Sequence, residues 1–415
     1  MPRANRLRRG GRPALASALL LLGLTACGSG SSSSGGAAAN TSPLVIGASI
    51  SLTGDFADPG KAVQRGYQLW AEEINKKGGL LGRQVSFKIV DDTSSPDQVL
   101  TNYQNLITKD KVDLVFGPFS SLLTIPASQV AARYKYAFIE PAGGGPAVFD
   151  QKLNNLFFVQ PAPVVKSGDV FADWILSLPA AQRPATAAYP ELDDPFSAPI
   201  AENIRTRFEA AGIKTVYQQV YKPETLDFGQ IVGAVAAANP DVVVAGTQSA
   251  DAYGMVKSMV QLKFNPKFLF MSNGANSPLE FPSKVGATNV NGVTSAGDWF
   301  PGSTAAGSPE FEKAYIAKYG GTADQIDNSS AEAFAAGQVL EDVANKTGKI
   351  DNATIVSTLH SGSWPTVLGN LAWDAVGQPT GNFVLIQWVG GKLLPVFPAD
   401  RAKSSPVFPK PNWGS

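Results

Sequence analysis

The 415-residue chain contains one cysteine, Cys27, and one histidine, His360. A lone cysteine excludes an intrachain disulfide, a CxxC redox motif and a zinc ribbon. A lone histidine excludes multi-histidine metal sites and argues against a Ser-His-Asp triad. No G-x-S-x-G elbow is present, so a hydrolase finds little support. His360 falls at the apparent end of a helix, where a cation would meet the negative end of the helix dipole. The glycine-rich stretch 141–146 is not followed by the lysine that a phosphate-binding loop requires. Excess positive charge is also missing: 34 basic residues face 34 acidic ones. The one apolar run near the amino terminus, Ala14–Leu24, is short for a bilayer span.

What is present begins with that run. Five arginines (Arg3, Arg6, Arg8, Arg9 and Arg12) and no acid precede or flank it. A basic head followed by a short apolar stretch reads as a signal peptide over residues 1–26. It ends Leu24-Thr25-Ala26-Cys27, the pattern of a bacterial lipobox, which makes Cys27 the expected lipidation site. Residues 27–42 are almost entirely Gly, Ser and Ala. Such a segment cannot bury enough apolar surface to order itself, and it reads as a flexible tether. Without the five leader arginines, acids exceed bases by five. A mildly acidic body disfavours nucleic acid and electrostatic membrane docking.

Roughly 370 residues remain, comfortable for two domains. Short apolar runs alternate with amphipathic stretches. Strands are expected at Leu44–Ile50, Val85–Val90, Val112–Phe116, Ala137–Ile139, Thr186–Tyr189, Val216–Tyr221, Asp241–Ala245 and Phe268–Met271. Val63, Tyr67, Trp70 and Ile74 mark one face of a helix, as do Phe228, Ile231, Val232 and Val235. This alternation implies an α/β fold of parallel sheets covered by helices. Near the carboxyl end, 382–389 and 392–397 read as a hairpin turning on Gly390-Gly391. In open parallel sheets, ligands bind beyond the carboxyl ends of strands. The turns after the strands, at 51–60, 117–121, 140–146, 190–196, 246–249 and 272–276, are therefore the places to search.

Several of these turns carry recognisable residues. Ser51-Leu52-Thr53-Gly54 is followed by Glu72-Glu73-Ile74-Asn75, Gly78-Gly79-Leu80-Leu81-Gly82-Arg83 and Asp91-Asp92. Gly117-Pro118-Phe119-Ser120-Ser121 and Thr124-Ile125-Pro126-Ala127-Ser128 come next. In order and spacing, from about Val45 to Val389, the chain resembles the leucine/isoleucine/valine-binding family of type I periplasmic binding proteins. The resemblance implies a two-lobed clamshell, each lobe a parallel sheet flanked by helices, with three crossover segments. Residues 43–161 plus 298–378 would form lobe 1, and 162–297 plus 379–410 lobe 2. The crossings are expected near 161–163, 297–300 and 376–381.

The family's ligand anchors fall on particular positions here. Ser121, with the backbone at Leu122, would hold a ligand α-carboxylate where a strand meets a helix. Helix capping is an equally physical role for that serine. The loop of Ala142, Gly143 and Gly144 would be the second anchor, with Gly144 standing where a threonine is usual. From the second lobe, Phe196 would cover the ligand, and Thr247 and Asn273 would close on it. The acid that pairs with a ligand ammonium in the family has no counterpart around Asn273, leaving Asp193, Asp194 or Asp251 as substitutes. Trp299 and Phe300 could line the cleft or pack in a turn.

The resemblance implies a solute-binding lipoprotein, not an enzyme, with no cofactor and no metal. It would be anchored by lipid at Cys27 to the outer face of the cell membrane and would work as a monomer. Its partners would be a small solute, such as a branched-chain amino acid or a related carboxylate or amide, and an ABC permease. A ligand-sensing ectodomain of the same fold is the alternative.

Overall fold

The computed structural model describes residues 42–414. The leader, Cys27 and nearly all of the tether lie outside them.

Two open sheets dominate. The first carries β1 (Leu44–Ile50), β2 (Val85–Asp91), β3 (Leu114–Phe116), β4 (Phe138–Glu140) and β5 (Leu156–Phe158). All are parallel, in the order β2-β1-β3-β4-β5. The second carries β6 (Thr186–Leu192), β7 (Lys214–Tyr221), β8 (Val242–Ala245), β9 (Phe268–Met271) and β10 (Val293–Gly297). The strands β11 (Trp364–Thr366) and β12 (Gly369–Leu371) form a separate two-stranded piece, and β13 (Val384–Val389) and β14 (Lys392–Phe397) complete the second sheet. Its order is β14-β13-β10-β9-β8-β6-β7, parallel apart from the antiparallel edge made by β13 and β14. That edge is the expected hairpin. Gly390 and Gly391 both have positive φ (58° and 77°), the conformation a tight two-residue turn requires.

Strand character follows from burial on both faces. Every residue of β3, β4, β5, β8 and β9 is buried, and β3, β5, β8 and β9 are apolar throughout. The helix Ala57–Lys76 turns Val63, Tyr67, Trp70 and Ile74 inward. Tyr67 stacks on Phe87 at 4.9 Å and Trp70 on Phe116 at 6.2 Å. Burying each such ring contributes about 1.5–3 kcal/mol. The same helix packs against Asn328–Thr347 so closely that a Cβ on Gly337 would sit 2.0 Å from the Trp70 ring.

The chain crosses between the two sheets three times: after β5, after β10, and between β12 and β13. These crossings are tied together. Gly381 N–H donates to Pro161 O at 2.6 Å, and Phe158 N–H to Gly377 O at 3.2 Å. The architecture is a two-lobed α/β clamshell with parallel-sheet lobes, as expected. Among the described residues, no helix is long and apolar enough to cross a membrane.

Candidate functional site

A cavity between the two lobes, partly open to solvent, is lined by residues of both lobes and of the segments that cross between them. The first lobe contributes the turns after β3 and β4. There the backbone of Phe119 bridges Ala142, and Ser120 N–H donates to Ala142 O at 3.0 Å. This pairing extends the sheet by one step and brings Phe119, Ser120 and Ala142 to the cavity wall. Ser120 adopts φ +76°, rare for a residue with a side chain. Its hydroxyl is buried without a hydrogen-bond partner.

The second lobe contributes Phe196, Gln248, Asn273 and Asn276 from the turns after β6, β8 and β9. Asn273 Nδ2 donates to Gln248 Oε1 at 2.8 Å, and Gln248 Nε2 to Asp194 Oδ1 at 3.2 Å. Thr247 is fully buried behind this wall, its hydroxyl donating to Asn273 O at 2.9 Å.

The crossings supply the charge. Asp298 follows β10, and Asn328, Ser329 and Glu332 occupy the first turns of the helix Asn328–Thr347. Asp298 and Glu332 lie close enough for each to shift the other's proton affinity. Asn328 Nδ2 donates to Glu332 Oε1 at 2.8 Å and reaches Asp298 Oδ1 at 3.4 Å. Burial raises the pKa of both carboxyls, and the Asp298 charge raises Glu332 further.

Of the expected site residues, Ala142, Phe196 and Asn273 line this cavity. Ser121, Leu122, Gly143, Gly144 and Thr247 are not on its wall. Ser121 sits one position deeper than expected: its Oγ accepts the Gly145 N–H at 2.9 Å. Leu122 faces a second, open cleft next to the cavity. The loop glycines serve packing more than ligand approach. A Cβ on Gly143 would lie 2.2 Å from Thr124 Oγ1, and one on Gly144 2.1 Å from the Phe158 ring. Trp299 also turns away, its indole donating to Ser308 Oγ at 2.9 Å and its ring packing on Phe311.

Asp193, Asp194 and Asp251, the expected substitutes for the acid missing near Asn273, do not line this cavity. Asp193 pairs with Lys222 at the surface. Asp194 accepts the N–H groups of Phe196 and Ser197, and Asp251 caps Gln248 N. The carboxyls on the cavity wall are instead Asp298 and Glu332. Neither was legible as a site residue. A lone acid after an apolar strand and an acid in a helix give no local signal, and only the crossing brings them together.

One further carboxyl lies just behind the wall. Glu140, fully buried at the end of β4, accepts the Ala142 N–H at 3.0 Å. Burial pushes its pKa up to about 8, against the pull of the Ala142 and Gly143 N–H groups. Among the described residues, no cluster of His, Cys, Asp and Glu could hold a metal ion.

A family model described as periplasmic binding protein matches residues 43–392. A Leu/Ile/Val-binding protein of Rhizobium johnstonii is 26% identical over 365 residues, covering 85% of this chain and 93% of the relative. An amino acid binding protein of Pseudomonas aeruginosa is 26% identical over 347 residues, covering 83% and 90%. Among solved structures, a leucine-binding protein of Thermotoga maritima superposes with a TM-score of 0.75 at 19% identity, covering 84% of this chain and 97% of that one. A solute-binding protein of an ABC transporter from R. palustris, in complex with benzoate, superposes with a TM-score of 0.74 at 20% identity, covering 90% and 99%. The fold, the interlobe cavity and the match over most of its length agree: this chain belongs to the periplasmic binding protein family, alongside its Leu/Ile/Val-binding members.

Proposed function

We propose that the protein is an extracytoplasmic solute-binding lipoprotein that captures a small polar solute between its lobes and delivers it to an ABC permease in the membrane. The observation that carries this reading is the cavity itself. Its walls come from both lobes, so an occupant gains contacts only when the lobes are together, and such a ligand drives closure by its differential affinity for the closed form. A permease can then distinguish loaded from empty protein by shape. Lipid at Cys27 and the Gly/Ser tether would hold a monomeric body near the outer membrane face without docking it there.

The ligand-holding residues under this reading are Ser120, Ala142, Phe196, Gln248, Asn273, Asp298 and Glu332, with Ser121, Leu122, Gly143, Gly144 and Thr247 shaping the turns that present them. Related proteins bind branched-chain amino acids in some cases and benzoate in another. These solutes, short amides and amines therefore form the starting panel.

The test is thermal unfolding of the mature protein against that panel. A ligand at a hundred times its dissociation constant stabilises by about 2.7 kcal/mol. A concentration-dependent rise in Tm with one chemical class supports the reading. No rise with any class counts against it. Solute uptake after deletion of the gene then separates transport from sensing by the same fold.

A further inference from the structure

The cavity wall contains two carboxyls, Asp298 and Glu332, and no Lys, Arg or His. Glu332 is 3% exposed, and Asp298 keeps part of its surface accessible. Asn273 and Gln248 each direct one amide N–H at a neighbour, Asn273 at Gln248 Oε1 and Gln248 at Asp194 Oδ1. Gln160 donates to Pro141 O at 3.0 Å.

Two backbone donors beside the expected carboxylate anchor are taken. Ala142 N–H is held by the buried Glu140 carboxyl, and Gly145 N–H by Ser121 Oγ. A ligand carboxylate here would meet no cation and would lie beside two acids. Burying an anion without a partner is costly.

Two independent features mark the cavity as built for a ligand. The hydroxyls of Ser120 and Ser167, at 2% and 6% exposure, line it and have no partner within the protein. Buried hydroxyls are rarely left unpaired in a finished core. A neighbouring open cleft also carries more acids than bases. The open cleft that shares Gln248 with the cavity is lined by Asp55, Asp58, Asp193, Asp194 and Asp251, against Lys257 and Lys284. Acids in excess at a cleft mouth concentrate cations there.

We infer that the ligand is a small organic cation, an amine or amidine without a carboxylate, whose charged nitrogen donates to Asp298 and Glu332 while Ser120 and Ser167 take its remaining polar contacts. Phe119, Phe196 and Phe383 surround its apolar part. The inference rests on the solute-binding reading above and departs from the zwitterionic amino acids named for relatives.

Matched pairs test it. The mature chain, with Cys27→Ser to keep it free of lipid, is titrated calorimetrically with leucine and 3-methylbutylamine, and with arginine and agmatine. Benzoate and isobutyramide complete the set. The expected result is that at least one amine binds ten times or more tighter than its parent amino acid. Asp298→Asn and Glu332→Gln should each weaken that binding at least tenfold. Tighter binding of an amino acid, of benzoate or of isobutyramide overturns the inference and leaves the solute-binding reading standing. So does amine binding unchanged in both variants. No binding by any compound overturns both. The ligand pairs are compared on the unmodified cavity, so the result does not depend on either variant folding.

Discussion

Trp373 donates its indole N–H to the Phe158 carbonyl at 2.6 Å, pinning the third crossing to the last strand of the first sheet. Its ring also meets Phe157 edge-on at 5.5 Å. Trp373→Phe removes the bond and leaves a buried carbonyl unsatisfied. Urea unfolding should show a loss of about 1–3 kcal/mol. The order of preference among solutes should be unchanged, because Trp373 does not line the cavity.

Adjacent serines should separate stability from binding. Ser121→Ala strands the Gly145 N–H and should lower stability by about 1–3 kcal/mol. Ser120→Ala removes a hydroxyl with no internal partner and should leave the denaturation midpoint nearly unchanged while weakening ligand binding. If Ser121→Ala instead weakens binding with no loss of stability, its hydroxyl belongs to the ligand and not to the loop.

Glu140 should make stability fall with rising pH. Its pKa is near 4.3 when exposed and is pushed up to about 8 in the fold by burial. Between those values the unfolded chain has released the proton and the folded chain retains it. Folding is therefore favoured on the acid side and weakened as pH rises, by about 1.4 kcal/mol per pH unit, until the folded group ionises. Glu191 and Asp251, each raised to about 7 chiefly by burial, add the same sign. Glu140→Gln should match the parent below pH 4 and exceed its stability increasingly up to about pH 8. Parallel stability profiles for the two proteins would show that Glu140 is ionised in the fold.

Gly144→Ala tests whether the loop glycine serves packing. Its Cβ would lie 2.1 Å from the Phe158 ring, which is itself fully buried. Overpacking of this kind costs typically about 1–3 kcal/mol. A lower Tm without ligand is expected. An unchanged Tm with lost binding would restore the glycine to the ligand surface.

Cys27→Ser should move the protein from the membrane fraction to the soluble extracytoplasmic fraction, measured by fractionation and immunoblot. Retention in the membrane fraction would mean that something other than lipid at Cys27 holds it there.

Local pattern made most of the fold legible. Leu44–Ile50 and Phe268–Met271 have the expected bounds because each is a mostly apolar run between turn residues. The hairpin was legible because two glycines separate two alternating runs. β5 and β10 were missed. β5 has three residues, and the Val-Thr-Ser-Ala-Gly of β10 carries little apolar signal. Its burial comes from neighbours on both sides of the sheet, which no local pattern shows. At the site, Ala142, Phe196 and Asn273 follow strands at the predicted turns, so a topological rule reached them. Ser120 and Ser121 differ by one position, and only the backbone conformation at Ser120 decides which hydroxyl faces the cavity.

By itself the sequence determined the class of molecule: an alternating α/β body whose motifs follow the order and spacing of the periplasmic binding family. These are properties of residue order, local period and composition, all short-range in the chain. The tertiary structure alone decided the chemistry of the cavity. Asp298 and Glu332 are 34 positions apart, on different elements, and become partners only because the second crossing turns the helix Asn328–Thr347 back toward the end of β10. The Glu140 carboxyl meets the Ala142 N–H only because the turn after β4 folds over the strand end. Charge in a buried site depends on which distant groups share it and on how little water remains between them, and local sequence pattern carries neither.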